Sequence, residues 1–185
     1  MGEPVISISR YYLNIRYTLL PYLYYLFYKA NTRGHVVISG LFYEFSHDIN
    51  TRDITDTQFM FGEGILISPV LNQSQMYVNA YFPYNERWFN FFGFNEIQNN
   101  GYNSLYAPFS NNTDEDSLKN ILPIHVRGGY IFLMQNPISN DNIALNTVEQ
   151  SINPYQLLVT LNINSTAFGE AYIDDGINRD SIKNE

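Results

Sequence analysis

The sequence contains no cysteine at any of its 185 positions. Disulfide bonds, thiolate nucleophiles and zinc sites with cysteine ligands are therefore excluded. The absence leaves the compartment open, because a large secreted enzyme does not need a disulfide in every segment.

Basic residues are also scarce. Ten lysines and arginines stand against 18 aspartates and glutamates, which gives a net charge of −8 and a pI of about 4.7. The basic residues form no cluster, and a diffusely acidic surface repels phosphate groups. We therefore expect no nucleic-acid partner.

A long hydrophobic run is missing as well. The most apolar stretch, RYTLLPYLYYLFYKA, leaves only twelve residues between Arg16 and Lys29, and Pro21 lies among them. A helix needs about 20 apolar residues to cross a bilayer, so we expect no membrane span. Met1 to Ser9 shows neither the basic nor the apolar part of a signal peptide. The chain is accordingly expected to be either intracellular or a piece of a longer protein.

Apolar and aromatic residues, in contrast, are abundant. They make up 45% and 16% of the chain, with 16 tyrosines and 13 phenylalanines, which favours a sizeable core. The apolar stretch predicts one long N-terminal helix from about Ser7 to Arg33. Ser7 or Ser9 is expected to cap its start, Gly34 to end it and Pro21 to bend it. Since this helix is apolar on almost every face, we expect it to need more partners than the chain provides.

Short apolar or alternating segments follow, separated by clusters of asparagine, glycine, proline and serine. They predict a mainly β fold with a β-sandwich. The segments are HVVISGLFYEF, ILISPVL, MYVNAYF, RWFNFF, LPIHVRGGYIFLM, YQLLVTLNI and GEAYIDD. Asp53 or Thr55 is expected to cap a short helix that ends at Gly62, and residues 110–120 are expected to form an exposed loop.

The histidines show no arrangement typical of a metal or active site. His35, His47 and His125 lack a ligand spacing, so each is interpreted as a structural residue. The sequence also lacks the serine-hydrolase elbow, the phosphate loop and the dinucleotide fingerprint. We therefore expect no metal ion and no cofactor.

The adjacent carboxylates Asp174 and Asp175 are the most conspicuous acidic pair. Neighbours in a strand point to opposite faces, and a glycine follows them, so they are interpreted as a turn. Arg127 precedes two glycines, which predicts a tight turn. This arginine is expected to form a structural ion pair rather than to bind a ligand.

Three Asn-x-Ser/Thr sequons occur, at Asn72, Asn111 and Asn164. Each is a candidate for N-linked glycosylation if the protein enters the secretory pathway. In a chain so rich in asparagine, a sequon or two is expected by chance.

Several segments together resemble glycoside hydrolase family 31, the family of α-glucosidases. They are ISRYYLNIRYTLLPYLYYLFYKANTRG, GLFYEF, DTQFMFGEGILISPVL, VNAYFP, RWFNFF, LPIHVRGGYIFLMQ and AYIDDG. Their order and spacing agree with the family from about Ile6 to Gly176. The sequence departs from it at Ser39-Gly40, where Arg-Pro is usual, and at Ile173, where Trp is usual.

The resemblance implies a map of the chain. Residues 1–62 would be the C-terminal end of a (β/α)₈ catalytic barrel, 63–137 a proximal β-sandwich domain, and 138–185 the start of a truncated distal β-domain. The family's two catalytic aspartates lie on barrel strands upstream, and neither motif is present here. Asp48, Asp53 and Asp56 do not match their context, so no catalytic residue is assigned and substrate-binding residues stay unknown.

The resemblance also implies a function for a longer protein. It would be a retaining α-glucosidase of carbohydrate metabolism in the secretory pathway, either secreted, lysosomal or membrane-tethered. Its oligosaccharide substrate would bind to the missing barrel, and this chain alone would be inactive.

A different interpretation is a free-standing, non-catalytic β-sandwich that binds carbohydrate. Exposed aromatic residues in RWFNFF, namely Trp88, Phe89, Phe91 and Phe92, would then stack on sugar rings. The competing view, which we favour, is that these side chains alternate into and out of a core.

Overall fold

The computed structural model describes residues 2–98, 100–108, 114–140 and 142–175. Its α-helices are α1 (Val5–Thr18), α2 (Leu20–Arg33), α3 (Leu41–Glu44), α4 (Glu115–Leu118) and α5 (Thr147–Gln150). Its strands are β1 (Ile38–Ser39), β2 (Phe59–Phe61), β3 (Ile65–Ile67), β4 (Tyr77–Phe82), β5 (Trp88–Asn90), β6 (Gly101–Tyr106), β7 (Ile124–Arg127), β8 (Tyr130–Gln135) and β9 (Tyr155–Thr160). A 3₁₀ turn covers Ile49–Thr51.

The predicted long helix is two helices, so the expectation of one helix bent at Pro21 was wrong. The break lies at Leu19, and Pro21 occupies the first turn of α2. A proline is well tolerated there, because the backbone N–H it lacks has no partner within the helix. Neither predicted serine caps α1, which begins after Pro4 without a side-chain cap. Gly34 does end α2, in the left-handed conformation with φ of 69°.

The centre of the fold is a five-stranded antiparallel sheet in the order β1-β2-β3-β7-β5. Leu66 in β3 lies opposite both Met60 and His125, which fixes the register across three strands. Two further antiparallel pairs, β4–β6 and β8–β9, flank this sheet. The mainly β expectation is therefore confirmed. The central sheet takes strands from both sides of Gly62. The proposed domain boundaries at residues 62 and 137 stay predictions.

The first core lies between the central sheet and the β4–β6 pair. Leu66 and Met60 from the sheet meet Val78 and Phe82 from β4, and Trp88 is completely buried among them. The Trp88 indole N–H donates to the Pro83 carbonyl at 3.3 Å, so its polar edge is satisfied. Trp88 thus shares this core with Leu66 of the segment ILISPVL.

The second core lies on the other face of the sheet and is closed by α2 and by the β8–β9 pair. Tyr22 and Leu26 of α2 pack on Ile65, Val126 and Phe132. The spacing of Tyr22 and Leu26 places both on one face of the helix.

Gly62 allows α2 to approach the sheet closely. It has φ of 62°, and a Cβ added there would lie 2.2 Å from the Tyr22 hydroxyl oxygen. Both facts require glycine at this position.

Part of the remaining surface of the helices is apolar and exposed. In α1 no residue is buried, and the large side chains exposed on α1 and α2 are Val5, Ile6, Leu13, Tyr24 and Phe27. This agrees with the expectation that the strands of this chain cover only one side of the helical segment. Among the described residues, none of the helices has the length and apolarity that a membrane crossing requires.

Several local predictions were wrong. In HVVISGLFYEF only two residues are strand, and Leu41–Glu44 is a helical turn anchored by the fully buried Leu41. The short helix expected to start near Asp53 is absent, since the 3₁₀ turn lies earlier and β2 occupies Phe59–Phe61. GEAYIDD forms no strand, and a helical turn, α4, lies inside the predicted loop 110–120, of which 110–113 lie outside the described residues.

Candidate functional site

The main cluster of charged side chains is built around Arg127, at the end of β7. Its guanidinium pairs with Glu86 and lies 3.6 Å from a carboxylate oxygen of Glu44. The same group lies over the ring of Phe45, 4.6 Å from its centroid, and 5.5 Å from that of Tyr130. Burial lowers the pKa of Arg127, but the Glu86 hydrogen bond and the nearby charges raise it, and the net shift is upward. The predicted structural ion pair is confirmed.

A second cation enters the cluster from the helix. Lys29 of α2 is 7% exposed, and its Nζ lies 2.8 Å from Oε1 of Glu63, in the turn between β2 and β3. Nδ1 of His35 lies 3.1 Å from the same oxygen. The Glu63 backbone carbonyl accepts a hydrogen bond from Arg127 at 3.4 Å. This bond joins the Lys29–Glu63 pair to the ion pairs of Arg127. This network connects α2, the turn after β2 and the end of β7.

The carboxylates of this network are poorly placed for glycoside hydrolysis. A retaining glycosidase needs one free carboxylate nucleophile and one protonated acid on either side of the bond. Glu86 and Glu63 are instead held by Arg127 and Lys29. Burial and the charge of Glu63 raise the pKa of Glu44, and Arg127 partly offsets this. The arrangement suits an ion-pair network that fixes the packing of α2.

An open cleft of about 740 Å³ runs beside α2, lined by that helix, the ends of β8 and β9, α5 and the segment up to Asp175. Tyr24 donates to Asp174 at 2.7 Å, and this hydrogen bond, with some burial, raises the pKa of Tyr24 to about 12. Tyr172 stacks on Tyr28 with ring centroids 4.2 Å apart. These contacts hold the segment against α2, and they give Asp174 a structural partner.

The histidines do not come together. His125 is 1% exposed inside β7, with its ring edge-on to Phe82 at 4.8 Å, and burial lowers its pKa to about 4. His35 joins the Glu63 network, and His47 is exposed in a turn. Within the described ranges, no group of three histidine, aspartate or glutamate side chains is arranged to hold a metal ion.

The other residues singled out from the sequence have separate positions. Asp48 caps the 3₁₀ turn and accepts a hydrogen bond from Tyr81. Asn72 and Asn164 lie in exposed turns, whereas Asn111 lies outside the described residues. In RWFNFF, Trp88 and Phe91 are buried, and Phe89 and Phe92 are half-buried. The sugar platform proposed for these four residues is therefore wrong.

The acidic members of this ion-pair network could not be predicted from the sequence. Glu44, Glu63 and Glu86 stand far apart in the chain and share no motif. One signal was available: Glu63 lies between two glycines in an otherwise apolar run, where a charge needs a partner.

Comparisons with known proteins find relatives of one family along almost the whole chain. The family model described as the glycosyl hydrolase family 31 C-terminal domain matches residues 34–132. Intestinal sucrase-isomaltase of Oryctolagus cuniculus is 36% identical over 182 residues, which is 98% of this chain and 9% of that protein. The α-glucosidase of Schizosaccharomyces pombe is 36% identical over 177 residues, or 94% of this chain and 16% of that protein.

Solved structures give the same result. The α subunit of glucosidase II bound to α3-Glc2 has a TM-score of 0.80 and 30% identity, over 98% of this chain and 18% of that one. The ER glucosidase II heterodimeric complex matches with a TM-score of 0.81 and 31% identity. The chain thus spans less than a fifth of the length of each of these relatives.

Proposed function

Since this chain belongs to glycosyl hydrolase family 31, we propose that it is part of a retaining α-glucosidase that hydrolyses terminal α-linked glucose from oligosaccharides. The observation that carries the proposal is the 36% identity to sucrase-isomaltase along 98% of the chain. In this proposal residues 1–62 end the catalytic barrel, 63–137 form the proximal β-domain and 138–185 begin the distal one.

The proposed role of this part is to hold the last barrel helix on a β-domain. One face of α2 is fixed by Tyr22 and Leu26 in the second core and by the Lys29–Glu63 pair. The opposite face, with Phe27 56% exposed, would contact the barrel. Burial of such apolar surface is favourable by about 25 cal/mol per Å².

The reaction of the whole enzyme needs two aspartates that we place on barrel strands upstream. One attacks the anomeric carbon to form a glycosyl-enzyme, while the other protonates the leaving oxygen and then activates water. The carboxylates of the Arg127 network are engaged by cations. We therefore expect the 185-residue chain alone to be inactive.

Two measurements test the proposal. Sequencing the encoding transcript upstream of the Met1 codon should reveal an open frame with barrel strands and both aspartates, and the product of that frame should release glucose from maltose. The 185-residue chain should release none from maltose or an aryl α-glucoside. An upstream stop codon, or turnover by the purified chain above that of a mock preparation, would refute it.

The compartment we propose is the secretory pathway. Relatives include an intestinal sucrase-isomaltase and an ER glucosidase II, which supports this location. We do not favour the carbohydrate-binding module, since Trp88 and Phe91 of its platform are buried. Affinity electrophoresis in gels that contain glycogen distinguishes the two proposals, because a module would be retarded and the fragment would not.

A further inference from the structure

The β4–β6 pair exposes a row of tyrosines on its outer face. Tyr77 lies opposite Tyr106 in the ladder, with ring centroids 5.1 Å apart. Tyr102 pairs with Tyr81 further along, with centroids 4.9 Å apart. Tyr77, Tyr102 and Tyr106 are 52–55% exposed, and we call these three the tyrosine face. Large exposed aromatic patches are typical of surfaces that something covers.

A glycosylation sequon lies at the edge of this face. Asn72-Gln73-Ser74 forms an exposed turn that precedes β4. Asn72 and Tyr102 line the same groove, which has a volume of about 240 Å³ and is also lined by Leu71 and Val78. The acceptor residue and a half-exposed tyrosine therefore line one small groove.

We propose that Asn72 carries an N-linked glycan whose first N-acetylglucosamine lies in this groove against the Tyr102 ring. A sugar ring has a face rich in C–H groups that packs on an aromatic face, which buries both from water. The location in the secretory pathway rests on the proposed function. The contact with Tyr102 rests on the geometry of the turn and of the tyrosine face.

The chemistry of attachment is a glycosyl transfer from a lipid-linked oligosaccharide diphosphate. Nδ2 of Asn72 forms a bond to C1 of the reducing-end sugar, and the bond from C1 to the diphosphate oxygen breaks. The lipid diphosphate leaves with the electron pair, and the amide loses one proton.

One N–H remains on Nδ2 after the transfer. In the structure Nδ2 of Asn72 donates to Oε1 of Gln75 at 3.2 Å, and the Asn72 backbone N–H donates to the same oxygen at 3.2 Å. The retained N–H can keep this bond, so Gln75 would set the direction of the first sugar.

Asn164 provides a matched comparison. It also lies in an exposed turn, closed by hydrogen bonds to Oδ1 of Asn162. It does not line the groove of the tyrosine face. A glycan on Asn164 is therefore expected to leave that face unchanged.

The test uses the full chain, expressed in mammalian cells behind a cleavable secretory leader and with an added C-terminal acceptor sequon. Peptide mapping after enzymatic deglycosylation in heavy-oxygen water should show modification of Asn72. Removing the glycan should lower the melting temperature by about 2–4 °C. The Asn72→Gln variant should melt lower than the glycosylated wild type by the same amount. The Asn164→Gln variant should melt at the temperature of the glycosylated wild type.

A substitution in the tyrosine face separates the proposed contact from a general effect of glycosylation. In the Tyr102→Ala variant, deglycosylation should leave the melting temperature unchanged. In the Tyr102→Phe variant, deglycosylation should still lower the melting temperature as it does in wild type. Unmodified Asn72 in a chain whose added sequon is occupied would overturn the proposal, and so would an equal loss in Tyr102→Ala. The proposed hydrolase function can fail without affecting this result, because no step of the test depends on activity.

Discussion

The buried histidine of β7 predicts how stability changes with acidity. His125 is 1% exposed, and its Nδ1 is buried without a hydrogen-bond partner in the described structure. Burial lowers its pKa from 6.5 to about 4, because the charged form loses its water. In the unfolded chain the same side chain takes up its proton near pH 6.5. Between these two values the unfolded state therefore holds more protons, and stability falls as the pH falls.

The magnitude follows from the separation of the two pKa values. Each unit of difference is worth about 1.4 kcal/mol once both states have passed their titration. For a folded pKa of about 4, the loss attributable to His125 is about 2 kcal/mol at pH 5 and about 3 kcal/mol at pH 4. Above pH 7 the contribution is close to zero, since both states are neutral.

The assay is urea unfolding of wild type, His125→Gln and His47→Gln from pH 7.5 to pH 4. His47 is exposed, so its replacement controls for the loss of one histidine. Carboxylate titration affects all three proteins alike. The free energy of unfolding of wild type should fall relative to His125→Gln, with most of the change between pH 6.5 and pH 4. Parallel profiles for wild type and His125→Gln would refute the reasoning.

Three further substitutions test the two cores and the ion-pair network by chemical unfolding at pH 7. Trp88→Ala should cost about 3–5 kcal/mol, because it empties a fully buried site; a change near zero would contradict the assigned core. Arg127→Met should cost about 3 kcal/mol by leaving Glu86 without its cation, and the double variant with Glu86→Gln should recover part of the loss. Gly62→Ala should cost more than about 1 kcal/mol, from the positive φ and the contact with Tyr22; a stability equal to wild type would mean that α2 does not approach the sheet this closely.

The strands that could be predicted are those whose alternation matches burial. In β4 the exposed Tyr77 and Asn79 alternate with the buried Val78 and Ala80, as the letters MYVNAYF suggest. β6 was not predicted, because GYNSLY mixes strand-favouring tyrosines with Gly101 and Asn103, which are depleted in strands, and its conformation depends on pairing with β4. Tertiary contacts supply what local preference lacks.

The residues after Gly40 were predicted to form a strand, but they form a helical turn. Strong strand formers in LFYEF adopt a helical turn, since Leu41 must reach the first core directly after the extended Gly40. A Cβ on Gly40 would lie 2.9 Å from the ring of Phe42, so the turn is tight. The turn also carries Glu44 to Arg127. β propensity therefore predicts this segment poorly, because the burial of Leu41 determines its backbone conformation.

The charged network was equally inaccessible from the sequence. Arg127 was expected to form a structural ion pair, but the sequence did not indicate its partner Glu86, which is 41 residues away. Long-range pairing of this kind leaves no periodic pattern. The family could be recognised without the ion-pair network, because many short segments keep the family's order and spacing. Each segment alone does not distinguish a helix from a strand.

The two faces of α2 explain why this helix looked both like a core element and like one that lacks partners. Tyr22 and Leu26 are buried in the second core, and Lys29 is held by Glu63, so removal of residues 1–34 would uncover Ile65 and Phe132. The open side, with Phe27 exposed, calls for a cover that the proposed barrel would supply. In this proposal, the helix is shared between two packing units, each of which buries one of its faces.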